Sequence, residues 1–121
     1  MIAVHDAARP LVSLQTIQNT FSAAQKSGAA IPVVDINESL REIDSLGSKA
    51  VNRKDFRIVQ TPQCFKKDVI LKAYEQSYAS EFTDDATVVE AYGNKITLTE
   101  GNAENIKITY PHDLLLAATL L

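Results

Sequence analysis

Glycine is scarce and scattered in this sequence. Gly28, Gly47, Gly93 and Gly101 are the only four in 121 residues, and none stands near another. A glycine-rich loop that cradles a nucleotide's phosphates through bare backbone N–H groups therefore cannot be assigned. The single cysteine, Cys64, excludes an internal disulfide, and with two isolated histidines it makes no zinc-like spacing. A metal would be a hard ion held by oxygens. No apolar run approaches the roughly 20 residues of a membrane span, and the first residues carry no signal-peptide pattern, so one soluble, cytoplasmic domain is expected. Positive charge is in deficit as well: the net charge is −3 and the isoelectric point is near 5.3. That balance argues against a nucleic-acid surface and leaves room for a local basic pocket.

What is present is organised around His5-Asp6-Ala7-Ala8-Arg9-Pro10, which follows the apolar run Ile2-Ala3-Val4. Pro10 removes a backbone donor and turns Arg9 away from helical geometry, so a short buried strand should end here in a surface turn. The carboxyl end of a strand is where open α/β sheets bind ligands. There Asp6 could accept a substrate hydroxyl or hold a metal, and Arg9 could fork onto phosphate oxygens. Their spacing also suits an ion pair that only pins the loop.

Further along, Ser13 is placed to cap a helix carrying Ile17, Phe21 and Ala24 on its core face, with Gly28 as the stop. Ala29 to Val34 reads as a strand in which Pro32 marks an edge or a bulge. Residues 35–60 are mostly polar, two extended pieces about Ser45-Leu46-Gly47-Ser48, and read as an arm seeking a second subunit. Thr61-Pro62-Gln63 punctuates the chain, and Cys64 reads as a half-buried inert thiol. A helix from Lys67 follows, then one capped by Thr83 with Val88, Val89 and Ala91 inward, a strand over 95–99, an extended piece over 106–109 and a closing helix from Pro111. Lys107, between Ile106 and Ile108, should point away from the core, as a solvated lysine does.

Four separated pieces, in this order, resemble the carboxyl-terminal half of the 2-C-methyl-D-erythritol 4-phosphate cytidylyltransferase family. They are His5-Asp6-Ala7-Ala8-Arg9-Pro10, Thr61-Pro62-Gln63, Thr83-Asp84-Asp85-Ala86, and Glu100-Gly101 with Asn105-Ile106-Lys107-Ile108-Thr109. The resemblance runs the length of the chain. It implies part of a nucleotide-binding, Rossmann-like α/β/α sandwich with a protruding β-arm that clasps a second subunit. The implied reaction is transfer of CMP from CTP to methylerythritol phosphate with release of pyrophosphate, with Mg2+ held mainly through the CTP phosphates.

Carried onto this sequence, the resemblance puts Asp6 and Arg9 at the methylerythritol phosphate site, with Asp6 accepting a substrate hydroxyl. Thr61, Thr83 and Lys107 would line the same pocket, Thr83 and Lys107 holding the substrate phosphate. Arg53, on the arm, would reach that phosphate in the partner of a homodimer. The absent glycine-rich loop implies a truncated enzyme, carrying the acceptor half and the arm without most of the CTP site. Such a piece should lean on oligomerisation or be marginally stable. A ribitol 5-phosphate cytidylyltransferase shares similar motifs, and a non-catalytic sugar-phosphate-binding remnant is the alternative from another class.

Overall fold

The computed structural model describes residues 1–121. Its frame is a five-stranded mixed sheet built on β2 (Ala29–Val34). On one side β2 pairs antiparallel with β5 (Ile58–Val59) and β6 (Gln63–Phe65), and β6 carries β1 (Ile2–Val4) beyond it. On the other side β7 (Thr97–Glu100) runs parallel to β2. Since β1 and β2 are both antiparallel to β6, they are parallel to each other, and the expected strand–helix–strand unit closes across an intervening strand. The carboxyl ends of β1, β2 and β7 consequently share one end of the sheet.

Alternation along β2 and β6 sorts the core onto two faces. Ala30 and Cys64 pack with Ala24 under α1 (Leu14–Ser27), while Ala29 and Phe65 pack with Ile70, Ala73, Val88 and Val89 of α2 (Lys67–Ala73) and α3 (Asp85–Ala91). Helices therefore cover both faces, which gives an α/β/α sandwich. Ser13 caps α1 as expected, its hydroxyl accepting the Thr16 N–H at 3.0 Å, and Gly28 ends it at φ +98°.

Several expectations are corrected. The buried stripe of α1 is Thr16, Thr20 and Ala24, with Ile17 and Phe21 half-buried, because the threonine hydroxyls find partners in Asn102 and Thr99. β1 is an edge strand with Ala3 and Val4 exposed, so it is not the buried strand its composition suggests. Asp84, not Thr83, caps α3, and Ala86 rather than Ala91 faces the core. Ile58 and Val59 belong to the main sheet, so the arm is shorter than 35–60. It consists of β3 (Leu40–Asp44) and β4 (Gly47–Val51), a hairpin forming its own two-stranded sheet. Residues 106–109 alternate in burial as a strand would, yet join no ladder; the Ile108 N–H bonds the Ala8 carbonyl at 2.8 Å and the Thr109 N–H bonds Asp113 Oδ2 at 2.9 Å.

Pro32 marks a bulge in a central strand. The step from Ala30 to Val33 on β2 is three residues, but their partners Cys64 and Val59 lie five apart, so two extra residues bulge between β5 and β6. The Pro32 carbonyl accepts the Gln60 N–H at 2.9 Å, so the missing Pro32 donor faces the bulge, where no ladder bond is lost. The closing helix α4 (Pro111–Leu120) buries only Ala117 and leaves Leu114, Leu115, Leu116 and Leu120 exposed. No helix is long and apolar enough to cross a membrane.

Candidate functional site

Three loops and a helix start meet at the shared carboxyl end of the parallel strands. The first is the turn after β1, closed by the Arg9 N–H donating to the Asp6 carbonyl at 3.0 Å. Opposite lies the bulge, which lifts Thr61 so that its hydroxyl accepts the Asp6 N–H at 3.0 Å. The segment after β7 supplies Asn105 and Lys107. The amino end of α3 supplies Thr83, Asp84 and Asp85.

Gln63 ties that helix to the sheet. It is buried at the first position of β6; its amide N–H donates to Asp84 Oδ2 at 2.9 Å and its amide oxygen accepts the Ala86 N–H at 2.9 Å. Asp84 Oδ1 in turn accepts the Thr87 N–H at 2.8 Å, and the Thr87 hydroxyl lies 3.2 Å from the Asp84 N–H, a reciprocal cap. Behind them Tyr74 Oη donates to Asp85. Burial, then this bond and the charges of Asp85 and Asp84, push the phenol up to about 12.

Asn105 holds the other wall. Fully buried, it donates through Nδ2 to the Thr61 carbonyl at 2.9 Å and to Gln60 Oε1 at 3.2 Å, while its own carbonyl accepts from Arg9 at 2.7 Å. Arg9 is therefore largely committed to the protein. Its side chain is 11% exposed, its Nε bonds Asp6 Oδ2 at 3.0 Å, and its far nitrogen reaches the Val59 carbonyl at 3.4 Å. This is the loop-pinning ion pair, yet it leaves Asp6 Oδ1 unengaged by Arg9. Lys107 is exposed and stands in no ion pair.

Asp6, Arg9, Thr61, Thr83 and Lys107 thus line one cleft of about 310 Å³, together with Gln60, Gln63, Asp84 and Asp85. Arg53 is not among them. It lies at the base of the arm, beside Lys54 and Arg57, and donates to the Asn37 carbonyl at 2.7 Å. Gln63 and Asn105 are the residues that the sequence pattern did not mark as structural to the site. Their one signal is a polar amide in a segment that must be buried, and only the register reveals that burial. Cys64, on the core side of β6, is fully buried with its thiol pushed up to about 11, so it is inert. No three carboxylate, imidazole or thiol groups gather to hold a metal, and the cleft acids are engaged with Arg9, Gln63, Thr87 and Tyr74. The residues present do not form a protein-only metal cage.

Comparison with known proteins agrees with the fold and covers the chain. A protein from Phocaeicola vulgatus named 2-C-methyl-D-erythritol 4-phosphate cytidylyltransferase is 46% identical over 121 residues, all of this chain and 55% of that protein. One of the same name from Bacteroides fragilis is 48% identical over the same span. The crystal structure of the Thermus thermophilus protein of that name superposes with a TM-score of 0.85 at 40% identity, covering 98% of this chain and 60% of that one. The chain spans about half the length of the curated relatives it matches. With residues 1–121 also matching the family model described as "IspD: 2-C-methyl-D-erythritol 4-phosphate cytidylyltransferase", the chain belongs to that cytidylyltransferase family.

Proposed function

We propose that this chain forms the acceptor-binding half of a cytidylyltransferase that transfers CMP from CTP to 2-C-methyl-D-erythritol 4-phosphate in the cytoplasm. The observation that carries the reading is the convergence of Asp6, Arg9, Thr61, Thr83 and Lys107, from four separate stretches of sequence, on one cleft. In the proposed reaction a phosphate oxygen of the acceptor attacks the α-phosphorus of CTP. The new P–O bond forms as the bond to the bridging oxygen breaks, and pyrophosphate leaves with its electron pair. Such chemistry needs alignment and charge stabilisation more than covalent help.

Each residue's part follows from its surroundings. Lys107, the unpaired cation, and Thr83, at the start of α3, hold the acceptor phosphate. Asp6 accepts an acceptor hydroxyl through Oδ1, and Arg9 keeps Asp6 and the Asn105 segment in place. The cleft's own charges are two cations against the three carboxylates of Asp6, Asp84 and Asp85. A phosphate dianion therefore requires positive charge from outside. Arg53 of a second copy, delivered by the arm in a homodimer, supplies it in this reading. Magnesium would arrive bound to the CTP phosphates, since this chain's residues build no cage for it.

Calorimetric titration with methylerythritol phosphate, ribitol 5-phosphate and CTP tests the reading, alongside pyrophosphate release with CTP, magnesium and each acceptor. Methylerythritol phosphate should bind in preference to ribitol 5-phosphate. Lys107→Ala and Arg53→Ala should each weaken it about tenfold or more, as loss of a charge-assisted hydrogen bond does, with less effect on CTP. Equal loss for both ligands, or none, would remove these residues from the acceptor pocket. Pyrophosphate release that depends on one acceptor would identify that acceptor. Binding without release from folded protein would favour a module that holds the sugar phosphate without turning it over.

A further inference from the structure

His5 is absent from the cleft lining, yet both of its ring nitrogens are engaged by residues that line it. Nε2 lies 2.9 Å from the Arg9 carbonyl oxygen, and Nδ1 lies 2.9 Å from Thr61 Oγ1. A carbonyl can only accept, so Nε2 carries hydrogen. In the neutral ring Nδ1 is then bare, and the Thr61 hydroxyl must donate to it. The same hydroxyl oxygen already accepts the Asp6 N–H at 3.0 Å. With its proton committed to His5 and one lone pair to Asp6, Thr61 offers the cleft a single lone pair and no donor. That is a poor partner for a phosphate oxygen and a good one for a ligand hydroxyl.

A protonated ring inverts this. Nδ1–H then donates to Thr61 Oγ1, the two lone pairs are taken by His5 and Asp6, and the Thr61 proton is released toward the cleft. We propose that His5 is a positioning residue of this site, acting through Thr61: the charge state of its ring decides whether Thr61 presents an acceptor for a hydroxyl or a donor for an anion. Protonation needs no movement of the backbone: each heavy atom keeps its partner, Nδ1 takes up one proton from solvent, and the Thr61 hydroxyl hydrogen turns from Nδ1 toward the cleft. The charged groups of its own loop are Asp6 and Arg9, which are paired with each other, and the cleft that Thr61 lines holds Lys107, Asp84 and Asp85 besides. For a sugar phosphate ligand the inference rests on the function proposed above, but the His5–Thr61 bond itself does not.

The chain has two histidines, His5 and His112, so the nitrogen NMR spectrum of its imidazoles holds two ring systems, and His112→Gln assigns them. In the ligand-free chain near neutral pH, His5 should show the single tautomer with hydrogen on Nε2. Thr61→Val, which keeps the shape and removes the hydroxyl, should abolish that preference. A His5 ring with hydrogen on Nδ1, or one unaffected by Thr61→Val, overturns the assignment. Calorimetric affinity for methylerythritol phosphate is then followed from pH 8 to 5.5 in the parent chain, Thr61→Val and His5→Asn.

The ligand phosphate titrates near about pH 6 and affects all three proteins alike, so the readout is the ratio between proteins. The parent's advantage over both variants should grow about tenfold as the pH falls, the effect of a hydrogen bond to an ionised group. An equal pH dependence in the parent and Thr61→Val would mean that the ring acts by charge alone, which also overturns the inference. Absence of binding at every pH would remove the proposed acceptor, while the tautomer measurement still decides for or against the His5–Thr61 bond.

Discussion

Gly101 shows how tightly single residues are held around this site. A Cβ at that position would collide with Gln60 Oε1 and come within 3.2 Å of the Val33 carbonyl oxygen. A flexible side chain could swing aside, but Gln60 is buried and tied at its far end to both Asn105 and the Asn102 carbonyl. Gly101→Ala should therefore cost about 1–3 kcal/mol, the range for an overpacked core, and a denaturant titration reads it directly. No measurable change would show that the Gln60 amide rearranges freely. Cys64 makes a second prediction, in alkali. Burial raises its thiol from the ordinary 9.0 to about 11. The folded state thus keeps the proton that the unfolded state gives up. The resulting contribution is intact below about pH 9 and is lost as the pH climbs toward 11. Unfolding midpoints measured across that window should fall less steeply for Cys64→Ala than for the parent chain.

At the scale of elements, the amino end of α3 is where stability and site geometry coincide. Asp84 caps the helix through one carboxylate oxygen and receives Gln63 through the other. Asp84→Ala should destabilise the chain by about 1–2 kcal/mol, as the loss of an N-cap does, and should weaken the proposed sugar phosphate binding by loosening Thr83 beside it. Asp84→Asn keeps an oxygen for the Thr87 N–H but sets an amide donor against the Gln63 amide N–H, so it should recover only part of the stability. No recovery at all in Asp84→Asn would place the effect in the Gln63 bond and the charge rather than in the cap. The position of this cap was only half legible in the sequence. Thr83-Asp84-Asp85 announces a helix start, and either the threonine or the first aspartate satisfies the chemistry. The bond from Gln63, 21 residues away, selects Asp84. The arm is comparable. Its polar composition marks a projecting segment, but Ile58 and Val59 look the same inside an arm or a sheet, and pairing with Val34 and Val33 decides.

For the whole molecule the surface is the telling quantity. The chain exposes 8189 Å², whereas a compact monomer of 13.3 kDa is expected to expose about 6,500 Å². The excess of roughly 1,700 Å² on one chain is about twice the roughly 800 Å² that each partner contributes to a standard protein interface. It is carried by the arm, where Ile43 and Leu46 are 82% and 97% exposed, and by the leucine face of α4, where Leu115 is 73% exposed. Groups of that kind gain by being covered. The chain should accordingly sediment as an oligomer at micromolar concentration, with a melting temperature that rises with protein concentration. Leu46→Asp should weaken that association if the arm forms the contact. A sharp, concentration-independent melt of a dilute monomer would overturn the expectation.

Local chemistry alone determined the four helices, the strand at 29–34, the Ser13 cap, the Gly28 stop, the turn at Pro10 and the outward direction of Lys107, while β6 went unread and β5 was placed in the arm. Each depends on a few neighbouring residues and on the periods of helix and strand. The four motifs determined the family, because their order is written in the chain. Only the tertiary structure decided that Arg9 is spent on Asp6, Asn105 and Val59, that Gln63 and Asn105 brace the cleft, and that Thr61 is raised into it by a two-residue bulge. Those outcomes hang on register and on contacts between residues up to 96 positions apart. No local pattern carries that information: a shift of one residue in pairing would send Gln63 to the opposite face of the sheet, and the loops that hold Arg9, Thr61 and Asn105 take their positions from the strands they join.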